Sequence, residues 1–201
     1  MSVPDPMRPP RPLCATCELP ACTCVCALVT PVCNDVELVV LQHPDEVRQA
    51  KGSARLLRLS LARCRVVVGE VFDPAQLLAL LDGDVSGTAL LYPGDTSTGP
   101  ARSSDALPSR LVVLDGTWRK SLRMLHANPL LQSLPRWAIP AASPSRYGAL
   151  RRARLPLQLS TLEAACAALA GIEQAPARYA PLLEAFDRFV ADRASRARAA
   201  E

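Results

Sequence analysis

The sequence predicts an α/β protein built on a parallel sheet, and three observations carry that expectation. From residue 36 onward, short apolar runs rich in Val and Leu alternate with stretches of helical character. The apolar runs are continuous, as expected of strands buried on both faces. The segment before residue 36 is rich in Pro and Cys and follows neither strand nor helix periodicity, so the core must come from the rest. This divides the chain into a Cys-rich segment, 1–35, and an α/β domain, 36–201.

Element by element, strands are expected at 36–42, 65–71, 88–92 and 110–114. A helix is expected over 50–61, where Leu56, Leu57 and Leu61 share one side, and a second over 74–81, opened by Pro74. Further helices are expected at 118–128 and 161–170, and a long final one from 178 to about 196. In that last helix Arg193, Arg196 and Arg198 read as a basic helix end. His126 reads as a packing residue, and His43 as part of a loop at a strand end.

At 201 residues the chain is long enough for one domain with a sizeable core. A hydrophobic share of 49% beside 21% charged residues is that of a soluble globular protein and excludes a disordered one. No apolar run reaches the roughly 18 residues of a membrane span. The stretch 1–13 carries Pro and Arg but no apolar stretch of signal-peptide length, so a cytoplasmic location is expected. The net charge of +4 permits an anionic partner without requiring one.

Six of the eight cysteines fall between Cys14 and Cys33. In a cytoplasmic chain such a cluster points to a metal rather than to disulfides. Cys14 and Cys17 form a C-x2-C knuckle, and Cys22, Cys24 and Cys26 follow closely. Four thiolates make a closed tetrahedral zinc site, structural rather than catalytic. Five thiols compete for four places, so spacing alone allows Cys14, Cys17, Cys22 and Cys24 as readily as Cys14, Cys17, Cys24 and Cys26. An iron–sulfur cluster is the alternative occupant.

The apolar run 110–114 leads directly into Asp115-Gly116-Thr117-Trp118. Ligands of open parallel sheets bind in the crevice outside the carboxyl ends of the strands, which is where Asp115 and Trp118 fall. Taken alone, the four residues equally describe a helix start, with Asp115 as cap, Gly116 as turn and Trp118 as core anchor. Two other strand ends have a similar character: Gln42-His43-Pro44 and Leu91-Tyr92-Pro93.

Three features in this order resemble the DTW-domain family: the cysteines 14, 17, 24 and 26, the Asp115-Gly-Thr-Trp118 motif, and Ser160-Thr161-Leu162-Glu163-Ala164. Gln42-His43-Pro44-Asp45-Glu46, Leu91-Tyr92-Pro93, Asn128-Pro129, Leu134-Pro135 and Ser145-Arg146-Tyr147 match as well, over about residues 11 to 190. The family pattern has Pro between its cysteine pairs. Aligned on Pro20, it selects Cys14, Cys17, Cys24 and Cys26 as zinc ligands and leaves Cys22 as the extra thiol.

The resemblance implies a tRNA-uridine aminocarboxypropyltransferase that uses S-adenosylmethionine, with a SPOUT-like sheet knotted in its C-terminal part. Carried over by motif, Leu91, Pro93, Trp118, Leu159 and Ala164 surround the adenine, while Ser53 and Thr161 offer polar contacts. Many relatives read Asn-Thr-Gly-Arg-Leu where this chain has Gly52-Ser-Ala-Arg-Leu56; Ser53 keeps a hydroxyl and the Asn side chain is lost. Trp118 and Ser121 are placed to cover the methyl group. Asp115 is then the candidate catalytic carboxylate, either as base for the uridine imide or as counter-charge to the sulfonium. Contacts to tRNA are expected from Arg119, Lys120 and Arg123, and from the run holding Arg146, Tyr147, Arg151, Arg152 and Arg154. The competing readings are an RNA methyltransferase and a non-catalytic zinc-containing RNA-binding protein.

Overall fold

Successive side chains of a strand point to opposite faces, so an unbroken apolar run must be covered on both sides. β1 (Glu37–Gln42) and β4 (Arg110–Asp115) meet that condition inside a five-stranded sheet. β2 (Cys64–Val68) pairs with β1, β3 (Thr88–Leu91) with β4, and the short β5 (Arg136–Trp137) with β3. Every pairing is parallel, in the order β2-β1-β4-β3-β5. The computed structural model describes residues 12–47, 49, 52–92, 107–138 and 159–198.

Alternation along the strands separates two cores. Leu38, Val40, Ala89, Leu91, Leu111 and Val113 face one side, covered by α1 (Ala54–Ser60), α5 (Thr161–Ile172) and α6 (Pro176–Arg198). Val39, Leu41, Leu90, Val112 and Leu114 face the other, covered by α2 (Pro74–Leu80), α3 (Trp118–Ala127) and α4 (Pro129–Ser133). Tyr179, Phe186 and Phe189 of α6 are among the largest fully buried side chains. At about 1.5–3 kcal/mol for each large apolar side chain removed from water, they make α6 a principal anchor of the first face.

The Cys-rich segment joins this same core. Cys17, Val25 and Val32 are buried in one cluster with α1, α5 and α6. Arg193 is 7% exposed, donates to the Thr23 carbonyl at 2.7 Å and places its guanidinium over the Phe189 ring. The expectation that Arg193 is simply a basic helix end is therefore corrected: its stem lies along apolar surface and its head ties the segment to α6.

Other expectations also shift. β2 runs from Cys64 to Val68 rather than over 65–71, and as an edge strand it is only half-buried. Residues 50 and 51, expected in the first helix, lie outside the described ones; the helix starts at Ala54, after Gly52 and Ser53. α4 and β5 are too short to show a period, so pattern alone does not reveal them. His126 is exposed rather than packed, because α3 turns that side to solvent.

At the amino-terminal edge of the sheet, Glu37 lies 2.6 Å from Arg110 and 2.7 Å from Arg65. Burial by itself pushes the Glu37 carboxyl up, but the Arg110 and Arg65 guanidiniums outweigh it and hold the carboxyl below its ordinary value.

Candidate active site and metal centre

The chain leaves β1 toward α1 on the first face and leaves β4 toward α3 on the second, although β1 and β4 are neighbours. Adjacent strands whose connections diverge in this way open a crevice between their carboxyl ends. Gln42 and Asp115 stand opposite one another there, as the last register pair of β1 and β4.

Asp115 is 7% exposed and both its carboxylate oxygens accept hydrogen bonds. Gln42 Nε2 donates to Oδ2 at 2.8 Å, and the Thr161 hydroxyl donates to Oδ1 at 2.6 Å. The backbone is fixed too, since the His43 N–H donates to the Asp115 carbonyl at 2.9 Å. Thr161 is the first residue of α5, and a capping box sets its position: Ser160 Oγ accepts from the Glu163 N–H while Glu163 Oε2 accepts from the Ser160 N–H.

Gly116 makes the close approach possible. A Cβ there would come within 3.1 Å of the Lys120 Cβ and 3.7 Å of the His43 Cβ. Thr117, not Asp115, caps α3, which leaves the Asp115 carboxylate to the crevice. Ser121 is buried on the next turn, with its hydroxyl 3.5 Å from the Gly116 carbonyl.

Trp118 is no core anchor. It is 52% exposed and stacks on Tyr92, with ring centroids 5.3 Å apart. The Arg136 guanidinium lies 5.5 Å from the centre of the same Tyr92 ring. Tyr92 follows β3, the neighbour of β4, so an exposed indole backed by a second aromatic stands at the same carboxyl ends of the strands as Asp115. Gln42, Tyr92 and Arg136 were given no role by the motifs. Gln42 and Tyr92 sit in strand-end tripeptides that could have marked them; Arg136 had no such signal.

The remaining expected residues fall as follows. Leu91 is buried in the first core, Ala164 packs against it, and Leu159 is half-buried just before α5. Ser53 is buried at the start of α1, and no hydrogen bond among the described residues links it to Asp115. Pro93, Arg146, Tyr147, Arg151, Arg152 and Arg154 lie outside the described residues.

Two of the three cations on α3 are already paired. Lys120 Nζ lies 2.8 Å from Glu46 and 3.3 Å from Asp45, and the Glu46 hydrogen bond leads the interactions that raise its pKa. Arg123 meets Glu70 at 2.7 Å. Arg119 is exposed and forms no ion pair among the described residues. His43 is buried, with Nδ1 accepting from the Asp45 N–H and Nε2 3.4 Å from Glu70.

Near the amino terminus, the sulfurs of Cys14, Cys17, Cys24 and Cys26 lie within 4.8 Å of one another. The Cys14–Cys26 and Cys17–Cys24 pairs are 3.6 Å apart. A tetrahedral zinc with Zn–S bonds of about 2.3 Å has sulfur–sulfur edges of about 3.8 Å, so the four thiols fit zinc. Cys22 is exposed and outside the group. The knuckle is closed by the Glu18 N–H donating to the Cys14 carbonyl at 2.8 Å, with Glu18 in the left-handed region at φ 57°. Backbone N–H groups of Cys17 and Thr16 lower the Cys14 thiol to about 6, and the same sulfur pushes Cys26 up to about 12. Thiols this close cannot all ionise without a cation between them. Arg55 of α1 donates to the Cys17 carbonyl, linking the centre to the helix that begins beside Ser53.

The DTW domain family model matches residues 11–194, nearly the whole chain. The chain belongs to the DTW-domain family. Among DTW relatives, mouse (Mus musculus) tRNA-uridine aminocarboxypropyltransferase 2 is 31% identical over 173 residues, 82% of this chain and 57% of the mouse protein. The Drosophila melanogaster protein of the same name is 33% identical over 176 residues, 83% of this chain and 68% of its own length. Arabidopsis thaliana tRNA-uridine aminocarboxypropyltransferase A is 27% identical over 146 residues, 60% of this chain and 53% of that protein. The DTW chain thus spans little more than half the length of its mouse relative. No solved structure matches it. Among the described residues, no helix is long and apolar enough to cross a membrane.

Proposed function

We propose that this DTW protein is an S-adenosylmethionine-dependent tRNA-uridine aminocarboxypropyltransferase, transferring the 3-amino-3-carboxypropyl group to the ring imide nitrogen of a uridine. The observation that carries the reading is the buried Asp115 carboxylate in the β1–β4 crevice, beside the half-exposed Trp118, in a family whose relatives bear that name.

The chemical character of the assigned residues supports this cofactor. Leu91, Leu159 and Ala164 offer an apolar wall, Trp118 an exposed aromatic face, and Ser53 and Ser121 buried hydroxyls; Pro93 belongs to the same set by motif. S-adenosylmethionine, when bound, supplies a sulfonium whose neighbouring carbons are open to displacement. Trp118 and Ser121 would shield the methyl, leaving the first methylene of the amino-acid arm to face uridine, and an aromatic face also favours a cation. The N–C bond forms as the C–S bond breaks. The C–S electron pair stays on sulfur, which leaves in methylthioadenosine, and the imide proton is released. Holding the reactants in line supplies up to about 7–11 kcal/mol of the barrier reduction.

Zinc on Cys14, Cys17, Cys24 and Cys26 would be structural, since four thiolates leave no open position. Arg119, Lys120, Arg123, Arg146, Tyr147, Arg151 and Arg152 are the proposed tRNA contacts, with Lys120 and Arg123 exchanging their carboxylate partners for phosphate. The reading includes a SPOUT-like sheet, supported by the all-parallel order β2-β1-β4-β3-β5, and a knot in its C-terminal part. It also includes a cytoplasmic location and the division into a zinc-binding segment, 1–35, and a catalytic domain, 36–201.

The test is mass spectrometry of the small-molecule product after mixing protein, S-adenosylmethionine and unmodified tRNA. Methylthioadenosine formed only with tRNA, with a matching mass gain on uridine, is the expected result. S-adenosylhomocysteine in its place would mean methyl transfer, and no turnover on any tRNA pool would leave a binding protein.

A further inference from the structure

The Thr161 hydroxyl and the Gln42 amide both point at Asp115, and that orientation bears on the chemistry Asp115 can do. The 2.6 Å bond from Thr161 lies within the range of about 2.5–2.7 Å for a hydroxyl donating to a charged carboxylate. The Gln42 bond, at 2.8 Å, is made by a group that can only donate. The carboxylate also stands at the start of α5, a 12-residue helix whose first turn presents the positive end of its dipole. Donors to both oxygens and a helix amino terminus favour the charged form, against the opposing effect of burial. Gln42 is 8% exposed and Asp115 7%, so water weakens these bonds little.

We infer that Gln42 and Thr161 are positioning residues that clamp Asp115 as a fixed negative charge facing the cofactor's sulfonium, and that Asp115 is not the acceptor of the uridine proton. This rests on the transferase reading above and replaces one expectation drawn from the family resemblance: the Thr161 hydroxyl serves Asp115 rather than the cofactor. In the transfer step the C–S electron pair neutralises the sulfonium, the new N–C bond forms, and the imide proton passes to water. The fixed anion stabilises the bound cation and aligns the arm for attack. The capping box makes the arrangement rigid, because Ser160 and Glu163 hold the turn that carries Thr161.

The experiment compares binding of S-adenosylmethionine, a cation at sulfur, with binding of S-adenosylhomocysteine, its neutral thioether. Calorimetry without RNA is run on the wild type, Asp115→Asn, Gln42→Leu, Thr161→Val and Thr161→Ser, with methylthioadenosine formation on tRNA followed in parallel. Asp115→Asn should erase most of the preference for the sulfonium. Gln42→Leu and Thr161→Val should each weaken S-adenosylmethionine about five- to tenfold while S-adenosylhomocysteine stays within about twofold. Thr161→Ser, which restores the hydroxyl, should recover most of that loss.

Equal weakening of both ligands would mean that the two side chains hold shape rather than charge, and the inference falls. It falls also if Asp115→Asn keeps the sulfonium preference yet loses turnover, the signature of a base. Val closely matches Thr in shape, so Thr161→Val decides the matter even where Gln42→Leu fails to fold. A wild type that binds neither ligand and forms no methylthioadenosine defeats the transferase reading itself, and the inference with it. A wild type that turns over beside unchanged variants defeats the inference alone.

Discussion

Single residues in this chain take their meaning from partners distant in sequence. Asp115 reads as a helix cap until Gln42, 73 positions earlier, and Thr161, 46 later, are seen on its two oxygens. Trp118 reads as core until α3 turns it outward against Tyr92. Glu37 offers a check at this scale that is independent of the active site. Its carboxyl is held below its ordinary value by Arg110 and Arg65, against the opposing effect of burial. A depressed carboxyl contributes stability in full above its unfolded pKa of about 4.3 and loses it as pH falls through the folded value. Glu37→Gln should therefore cost about 1–3 kcal/mol at pH 7, and the gap to wild type should close as pH drops below about 4. Thermal melts across that range measure it; a gap that stays constant would mean the ion pairs contribute nothing dependent on charge.

At the scale of elements, the long apolar strands were the most legible part. β1, β3 and β4 lie where the apolar runs are, each to within a residue at either end. β5 escaped because two residues carry no period, and α4 because five residues opened by Pro129 look like a loop. A capping box, Ser160-x-x-Glu163, starts α5. Ser160→Ala should cost about 1 kcal/mol in chemical denaturation. It should also weaken S-adenosylmethionine more than S-adenosylhomocysteine, because the fraying turn carries Thr161. Loss of stability with unchanged ligand preference would separate the cap from the site.

For the molecule as a whole, the Cys-rich segment is the part least able to fold alone, and it is bound into the main core. Cys17, Val25 and Val32 are buried with α6, Arg193 holds Thr23, and Arg55 holds Cys17. Metal binding by such a segment is coupled to folding. A strong zinc chelator should therefore lower Tm by roughly 5 °C or more, given about 2–4 °C per kcal/mol for a chain of this size. Cys22→Ser should keep one zinc per chain by elemental analysis, while Cys24→Ser should bind it at least about tenfold more weakly. Metal-free purified protein, or loss of zinc on changing Cys22, would contradict the assigned centre.

The sequence by itself determined the α/β class, the order of most elements, the identity of the family and the short list of thiols. These are properties of local pattern: periodicity, cap and turn residues, and motif order are all written within a few residues of one another. Spacing left the choice between Cys22 and Cys26 open; the family pattern selected Cys26, and the tertiary structure brought the Cys26 sulfur among the others while leaving Cys22 exposed. Only the tertiary structure decided the strand order, the divergence of β1 and β4 that opens the crevice, and the partners of Asp115. The pairing of Lys120 and Arg123 with carboxylates was likewise invisible beforehand. The physical reason is the same throughout: a hydrogen bond or ion pair depends on distances of about 3 Å, and those are set by how the sheet and helices pack rather than by separation along the chain.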